Sequence, residues 1–378
     1  MPKIKLKILL MTPSLNYGGE ELSTLNIARE LMSRGHEVVY MSFGGPLEAQ
    51  LTRYNINFVK ANIRGRGIIG IMKGAAEVRR FLKKEKISII HSQTPWPALM
   101  SKLASYSLHS KTPVIWHDRG IRRGNYKYVA KLANLFFDHV ITNSDDEKKL
   151  LLANGLSSAK VRRIHNGLNI NDYLMGSAGD LDLKRKLGLD NDVILIGMVG
   201  RMVEEKGFKY LIMAASQLEK IKTIQRCRFV LVGDGPLRAD LEALVGKLQL
   251  QKNVFFLGFR DDIPAILKNL DILVIPSEFE PFGNVVLEGM LAGTAVIASR
   301  VGGIKEIISE GIDGMFVEPK DPEGITQSII KLINDVELRK RISSRSKHKV
   351  ISYFNIQRVV DEIEDVYEKL IVKKLEAR

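Results

Sequence analysis

Short apolar runs alternate with amphipathic stretches along the whole chain. In the first half, runs of strand length occupy residues 6–11, 37–42, 56–61, 87–91, 113–117, 139–143 and 161–165. Between them, apolar residues recur every three or four positions. The stretch after the first run places Leu22, Leu25, Ile27, Ala28 and Leu31 on one side and stops near Gly35, a residue suited to a left-handed helix cap. Strands that alternate with helices in this way predict a parallel sheet covered by helices, an α/β fold.

The rhythm breaks at Asn166-Gly167-Leu168-Asn169 and a polar segment running to Asp180, then restarts. Second-half strands are predicted at 193–199, 228–232, 254–257, 272–276, 295–298 and 314–317, and helices dominate from Asp321 onward. We therefore expect two Rossmann-like domains, residues 1–168 and 169–358. The last helix, about 359–378, has no strand after it and is free to pack back on the first domain.

Length agrees, since 378 residues exceed one ordinary core and suit two. A hydrophobic fraction of 45% with 26% charged residues excludes a disordered or collagen-like chain. The basic N-terminus superficially resembles a signal peptide, but its apolar run is short and leads into a glycine loop, so it reads as a first buried strand. No apolar stretch nears the roughly 20 residues that span a bilayer. The single cysteine, Cys227, excludes an intrachain disulfide and a thiolate metal cluster and fits a reducing, cytoplasmic compartment. A net charge of +14 points to anionic partners without naming one.

In open α/β sheets ligands bind at the carboxyl ends of the strands, so residues just beyond each strand are the first to inspect. Asn16-Tyr17-Gly18-Gly19-Glu20 follows the first strand, where paired glycines permit close backbone approach at a helix start; a plain tight turn explains them equally well. Gly200-Arg201-Met202-Val203-Glu204-Glu205-Lys206-Gly207 follows the first strand of the second domain. Its two cations suit a leaving diphosphate, or else a solvated loop. Gly233-Asp234-Gly235-Pro236 invites a dinucleotide reading and fails it, because Arg238 stands where the third glycine is needed.

The most informative segment runs from Pro276 to Glu288. Glu280 precedes a helix predicted to start near Asn284, and Glu288 lies one turn inside it, so both carboxylates can face the same end of the sheet. The bland alternative makes Glu280 a helix-dipole partner and Glu288 a surface charge.

Taken together these segments resemble glycosyltransferase family 4, over the whole chain. The resemblance rests on the E-x7-E pattern of Glu280 and Glu288, the Arg201 to Gly207 loop and the Gly18-Gly19-Glu20 loop. Asn166-Gly167, Leu231 to Pro236, Leu257-Gly258 and Pro276-Ser277 support it. It implies the GT-B fold, with two parallel-sheet domains facing across a cleft, and transfer with retention of anomeric configuration. The substrate would be a nucleotide-sugar, by default a UDP-sugar, held mainly by the second domain. Arg201 and Lys206 would hold the diphosphate, with Gly18, Gly19 and Gly233 close by. Glu288 would bind the ribose and Glu280 the sugar, beside amides of Phe282, Gly283 and Asn284. His117 would stand at the donor sugar, although a lone strand-end histidine is also a common structural residue. No cofactor and no metal are expected: Asp180-Leu181-Asp182 mimics a metal-binding D-x-D but sits where it would cap a helix.

The first domain would take the acceptor, a glycan or lipid-linked sugar. Lys and Arg residues from Lys60 to Lys86 outnumber Glu77 and Glu85. A second stretch carries Arg119, Arg122, Arg123, Lys127 and Lys131 with Tyr126, Tyr128, Leu135, Phe136 and Phe137. Both suit an anionic membrane surface, or solvated helix faces over a core. No nucleic-acid-binding signature accompanies the charge. The rival functions are a sugar-nucleotide epimerase, a phosphorylase and a silent nucleotide-sugar-binding module.

Overall fold

The computed structural model describes residues 5–121, 125–176 and 181–376. Arg122, Arg123 and Asp180 lie outside the described residues. The chain forms two compact units: one runs to Gly167 and resumes at Ile356, and the other is Leu168–Asn355.

In the first unit seven strands form a parallel sheet: β1 (Lys7–Met11), β2 (Glu37–Ser42), β3 (Asn57–Lys60), β4 (Ile89–Ser92), β5 (Val114–Asp118), β6 (His139–Thr142) and β7 (Val161–Arg163). Their order is β3-β2-β1-β4-β5-β6-β7. Successive side chains of β1 serve opposite faces, Ile8 and Leu10 in one core cluster and Leu9 and Met11 in another. That is why the strand is apolar throughout instead of alternating with polar residues.

The helix Ile356–Glu376 closes the first of these clusters. Ile356, Val359, Val360, Ile363, Val366 and Tyr367 recur at helical spacing and are buried with Leu25, Ala28 and Leu31 of the helix Gly19–Ser33. Arg34 ties the edges together, bonding Asp361 at 2.5 Å and Glu364 at 2.7 Å. The helix begins three residues before the expected 359, since Ile356 extends the apolar stripe to its first turn.

The second unit holds β8 (Ile194–Val199), β9 (Cys227–Val232), β10 (Val254–Gly258), β11 (Ile272–Ile275), β12 (Ala295–Ser299) and β13 (Met315–Val317), all parallel, in the order β10-β9-β8-β11-β12-β13. Ile196 and Met198 face one core cluster while Leu195 and Val199 face the other. The polar connector after Gly167 is not structureless. It contains the helix Ile170–Gly176, anchored by Tyr173, which is buried in the same cluster as Leu195. No described helix is long and apolar enough to cross a membrane.

Candidate active site

The strand order of the second unit reverses between β8 and β11, and such a switch point opens a crevice at the carboxyl ends of the two flanking strands. The Arg201–Gly207 loop leaves β8 there, and the segment from Pro276 leaves β11. The two are stitched together. The Glu278 amide donates to the Glu205 carbonyl at 2.8 Å, and at Gly207, where φ is +76°, a Cβ would fall on the Pro276 carbonyl oxygen. Gly233, at φ +127°, fits against the Gly200 carbonyl for the same reason, and its own amide is engaged with Gly258.

Lys206 and Glu280 meet directly: Nζ donates to Oε2 at 2.5 Å, and Ser277 Oγ approaches the same oxygen at 3.4 Å. The carboxylate is only 13% exposed, so the ammonium is what keeps a partly buried charge compensated. The 29% exposure of Lys206 leaves donors of its ammonium open to a further anion. Arg201 is exposed, and its guanidinium has no protein partner among the described residues.

The helix Asn284–Ala292 starts where predicted, with Gly283 as its cap in the left-handed conformation. Phe282 is buried and packs on Phe354 with ring centroids 6.2 Å apart, so its side chain belongs to the core. Glu288 keeps an accessible edge, yet its carboxyl is surrounded closely enough that burial alone pushes it up to about 7. It lies near the Tyr173 phenol, whose acidity it lowers further after burial.

In the first unit the order reverses between β1 and β4. Gly18 caps the helix that Gly19 opens, and Gly19 is exposed there. His117, on β5, is buried against His91 of β4: the rings stack 5.2 Å apart, and His91 Nε2 lies 3.1 Å from His117 Nδ1. His91 Nδ1 in turn lies 2.6 Å from the Tyr367 hydroxyl. Burial, then the charge of Arg119, holds His91 down at about 3 and His117 well below the usual histidine range, so both rings are neutral at physiological pH. His117 Nε2 is buried and has no protein partner among the described residues, a state that costs about 1–3 kcal/mol if nothing else pairs it.

Two family models cover most of the chain: "Glycosyltransferase Family 4" matches residues 17–172 and "Glycosyl transferases group 1" matches 180–349. The chain belongs to the family 4 glycosyltransferases. Among curated relatives of this glycosyltransferase, an uncharacterized one from Methanocaldococcus jannaschii is 35% identical over 55% of this chain and 54% of its own length. The UDP-Gal:alpha-D-GlcNAc-diphosphoundecaprenol alpha-1,3-galactosyltransferase of Escherichia coli is 28% identical over 84% of each chain. Anabaena HepE, solved in complex with UDP and glucose, superposes with a TM-score of 0.84 at 25% identity, covering 96% of this chain and 99% of its own. The fold of the glycosyltransferase is therefore GT-B.

The enzyme adds contacts to the sequence reading and departs from it at Arg119. Lys206, read as a cation for the diphosphate, and Glu280, read as a group at the sugar, are also each other's partner. Arg119, placed with the surface charges, turns inward: Nε donates to Gln93 Oε1 at 2.8 Å and Nη1 to Asn166. Asp182 caps the helix Leu183–Lys186, as expected, by accepting from the Arg185 amide at 3.0 Å, and Arg238 bonds Asp234 at 3.0 Å. Sequence reasoning missed His91, Tyr367 and the buried acids Asp118 and Glu147 of the glycosyltransferase, and it gave Glu20 only as part of the Gly18-Gly19-Glu20 loop. Their one visible signal was position, since Asp118 ends β5 and Glu20 and Glu147 sit in first helical turns.

Proposed function

We propose that this glycosyltransferase takes its sugar from a nucleotide-diphosphate donor, by default a UDP-sugar, and transfers it with retention to a glycan or lipid-linked acceptor. The observation that carries the reading is the Lys206–Glu280 pair beside the unpaired Arg201 at the second unit's switch point. As the sugar–phosphate bond breaks, negative charge grows on the diphosphate. Arg201 offers it a planar fork, and Lys206, steered by Glu280, offers a point charge. Glu280 then serves twice, holding Lys206 and standing at the sugar. Glu288 binds the ribose, His117 the donor sugar, and the backbone about Gly18, Gly19, Gly233, Gly283 and Asn284 completes the site. UDP and glucose in the Anabaena structure and the UDP-Gal of the E. coli relative's name support the donor class; that name also supports a lipid-linked acceptor.

Fixed cations at the diphosphate make a divalent ion unnecessary. Transfer is expected to continue in excess chelator, and complete loss restored by magnesium or manganese would overturn that part of the reading. A panel of nucleotide-sugars tests the rest: the true donor raises the unfolding temperature and is slowly hydrolysed, whereas no response to any of them removes the proposal.

The acceptor side supports a cytoplasmic enzyme resting on an anionic membrane face. The helix Gly67–Leu82 leaves Ile68 84%, Ile69 73% and Met72 60% exposed, next to exposed Arg66 and Lys73. The helix Tyr126–Phe136 likewise presents Tyr128 and Leu135 beside Lys127 and Lys131. Apolar side chains ringed by cations are what the interface of an anionic bilayer accepts.

A further inference from the structure

Tyr367, His91 and His117 form a line of three buried side chains that ends on an unpaired nitrogen. It joins the helix Ile356–Glu376 to β4 and then to β5. The proton positions along it follow from one end. The Tyr367 hydroxyl is fully buried, burial raises its pKa so that it keeps its proton, and His91 Nδ1 is its sole partner among the described residues. A buried O–H must donate somewhere, so Tyr367 donates and His91 Nδ1 accepts. A neutral imidazole carries one N–H, which for His91 is then on Nε2, and it donates to His117 Nδ1 across 3.1 Å. The single proton of His117 is left on Nε2, the atom without a protein partner among the described residues.

We infer that Tyr367 is a positioning residue that acts through His91 to lock His117 in the Nε2–H tautomer, so that His117 presents a hydrogen-bond donor to an oxygen of the sugar-diphosphate. This rests on the proposed place of His117 at the donor sugar. The consequence is chemical: a nitrogen that already bears the proton cannot accept one from an acceptor hydroxyl. His117 therefore binds and orients an oxygen, and general-base catalysis falls to another group.

The full-length enzyme labelled with 15N-histidine gives the direct test, read by two-bond proton–nitrogen correlation with and without UDP. His117→Asn and His91→Asn identify the two signals by their loss. Both histidines are expected to show a protonated Nε2 and a bare Nδ1, and Tyr367→Phe, which keeps the ring and removes the hydroxyl, is expected to mix the tautomers of both. A protonated Nδ1 on His117, or the same spectrum in Tyr367→Phe, overturns the inference. Kinetics give the second arm. Tyr367→Phe is expected to lower kcat about tenfold, the size of one lost hydrogen bond, with little change in KM for the nucleotide-sugar. His117→Gln, whose amide supplies a donor near Nε2, should retain more turnover than the acceptor-only His117→Glu, and the opposite order overturns the inference. Wild-type transfer by His117→Ala would instead remove histidine from the donor site, whatever the tautomer spectrum shows.

Discussion

Lys206 has two demands on one ammonium: it compensates a carboxylate that is mostly buried, and in the proposed reaction it stabilises a leaving diphosphate. The demands separate by mutation. Arg201→Ala removes an exposed, unpaired guanidinium, and the folded enzyme should lose about 100-fold to 1,000-fold in turnover, or about 3–4 kcal/mol, with a smaller loss of donor affinity. Lys206→Ala should lose as much turnover and also stability, because Glu280 is left unpaired. Adding Glu280→Gln to Lys206→Ala should restore the stability and none of the rate. Glu288→Ala should act on binding of the free nucleotide, read by calorimetry. Near-wild-type transfer by the folded Arg201, Lys206 and Glu280 variants would discard the site. Sequence alone brought these residues together by position after β8 and β11, but the contact between Lys206 and Glu280 needed coordinates, since it spans 74 positions of chain.

Among the elements, the sheets were the most legible part. Their central strands are buried on both faces, so the runs stand out as continuous apolar blocks, and the observed strands fall within two residues of the expected ones. The helix Ile170–Gly176 was hidden because Ile170 and Tyr173 provide only two core positions in a polar stretch. The line from Tyr367 to His117 was invisible for a different reason: its members come from three elements whose neighbourhood only the topology creates. The loops at the switch point depend on backbone as well as charge. Gly207→Ala puts a side chain at φ +76° against the Pro276 carbonyl. It should destabilise the second unit by about 1–3 kcal/mol and weaken nucleotide binding, measured by chemical unfolding and calorimetry; unchanged values of both would mean the loop does not need its present path.

For the whole molecule, charge and burial make distinct predictions. Salt-sensitive flotation with anionic but not neutral vesicles is expected from the two exposed basic faces, since attraction at a surface fades within about 8 Å at physiological ionic strength. Equal binding to both, or to neither, would end the membrane reading. Stability should fall between pH 6.5 and 8. Burial, then Glu21, pushes Glu20 to about 8, and burial pushes Asp118 and Glu288 to about 7. The folded chain therefore holds protons that the unfolded chain has already released, and raising the pH favours unfolding. Histidines held low by burial, His91 at about 3 and His139 at about 4, give the opposite slope, but it is spent by about pH 6.5. Unfolding temperatures across that window should decline, and Glu20→Gln should flatten the decline.

The return of the chain to its first unit also sets an order of events during synthesis. The core beside β1 is completed by Val360, Ile363 and Tyr367, which leave the ribosome only after the whole of the second unit. At about 5–20 residues per second that is a wait of roughly 10–40 s. Throughout it, the nascent first unit carries an open apolar face along Leu25, Ala28 and Leu31, a natural stretch for a chaperone to shield, while the uninterrupted second unit is free to finish folding first.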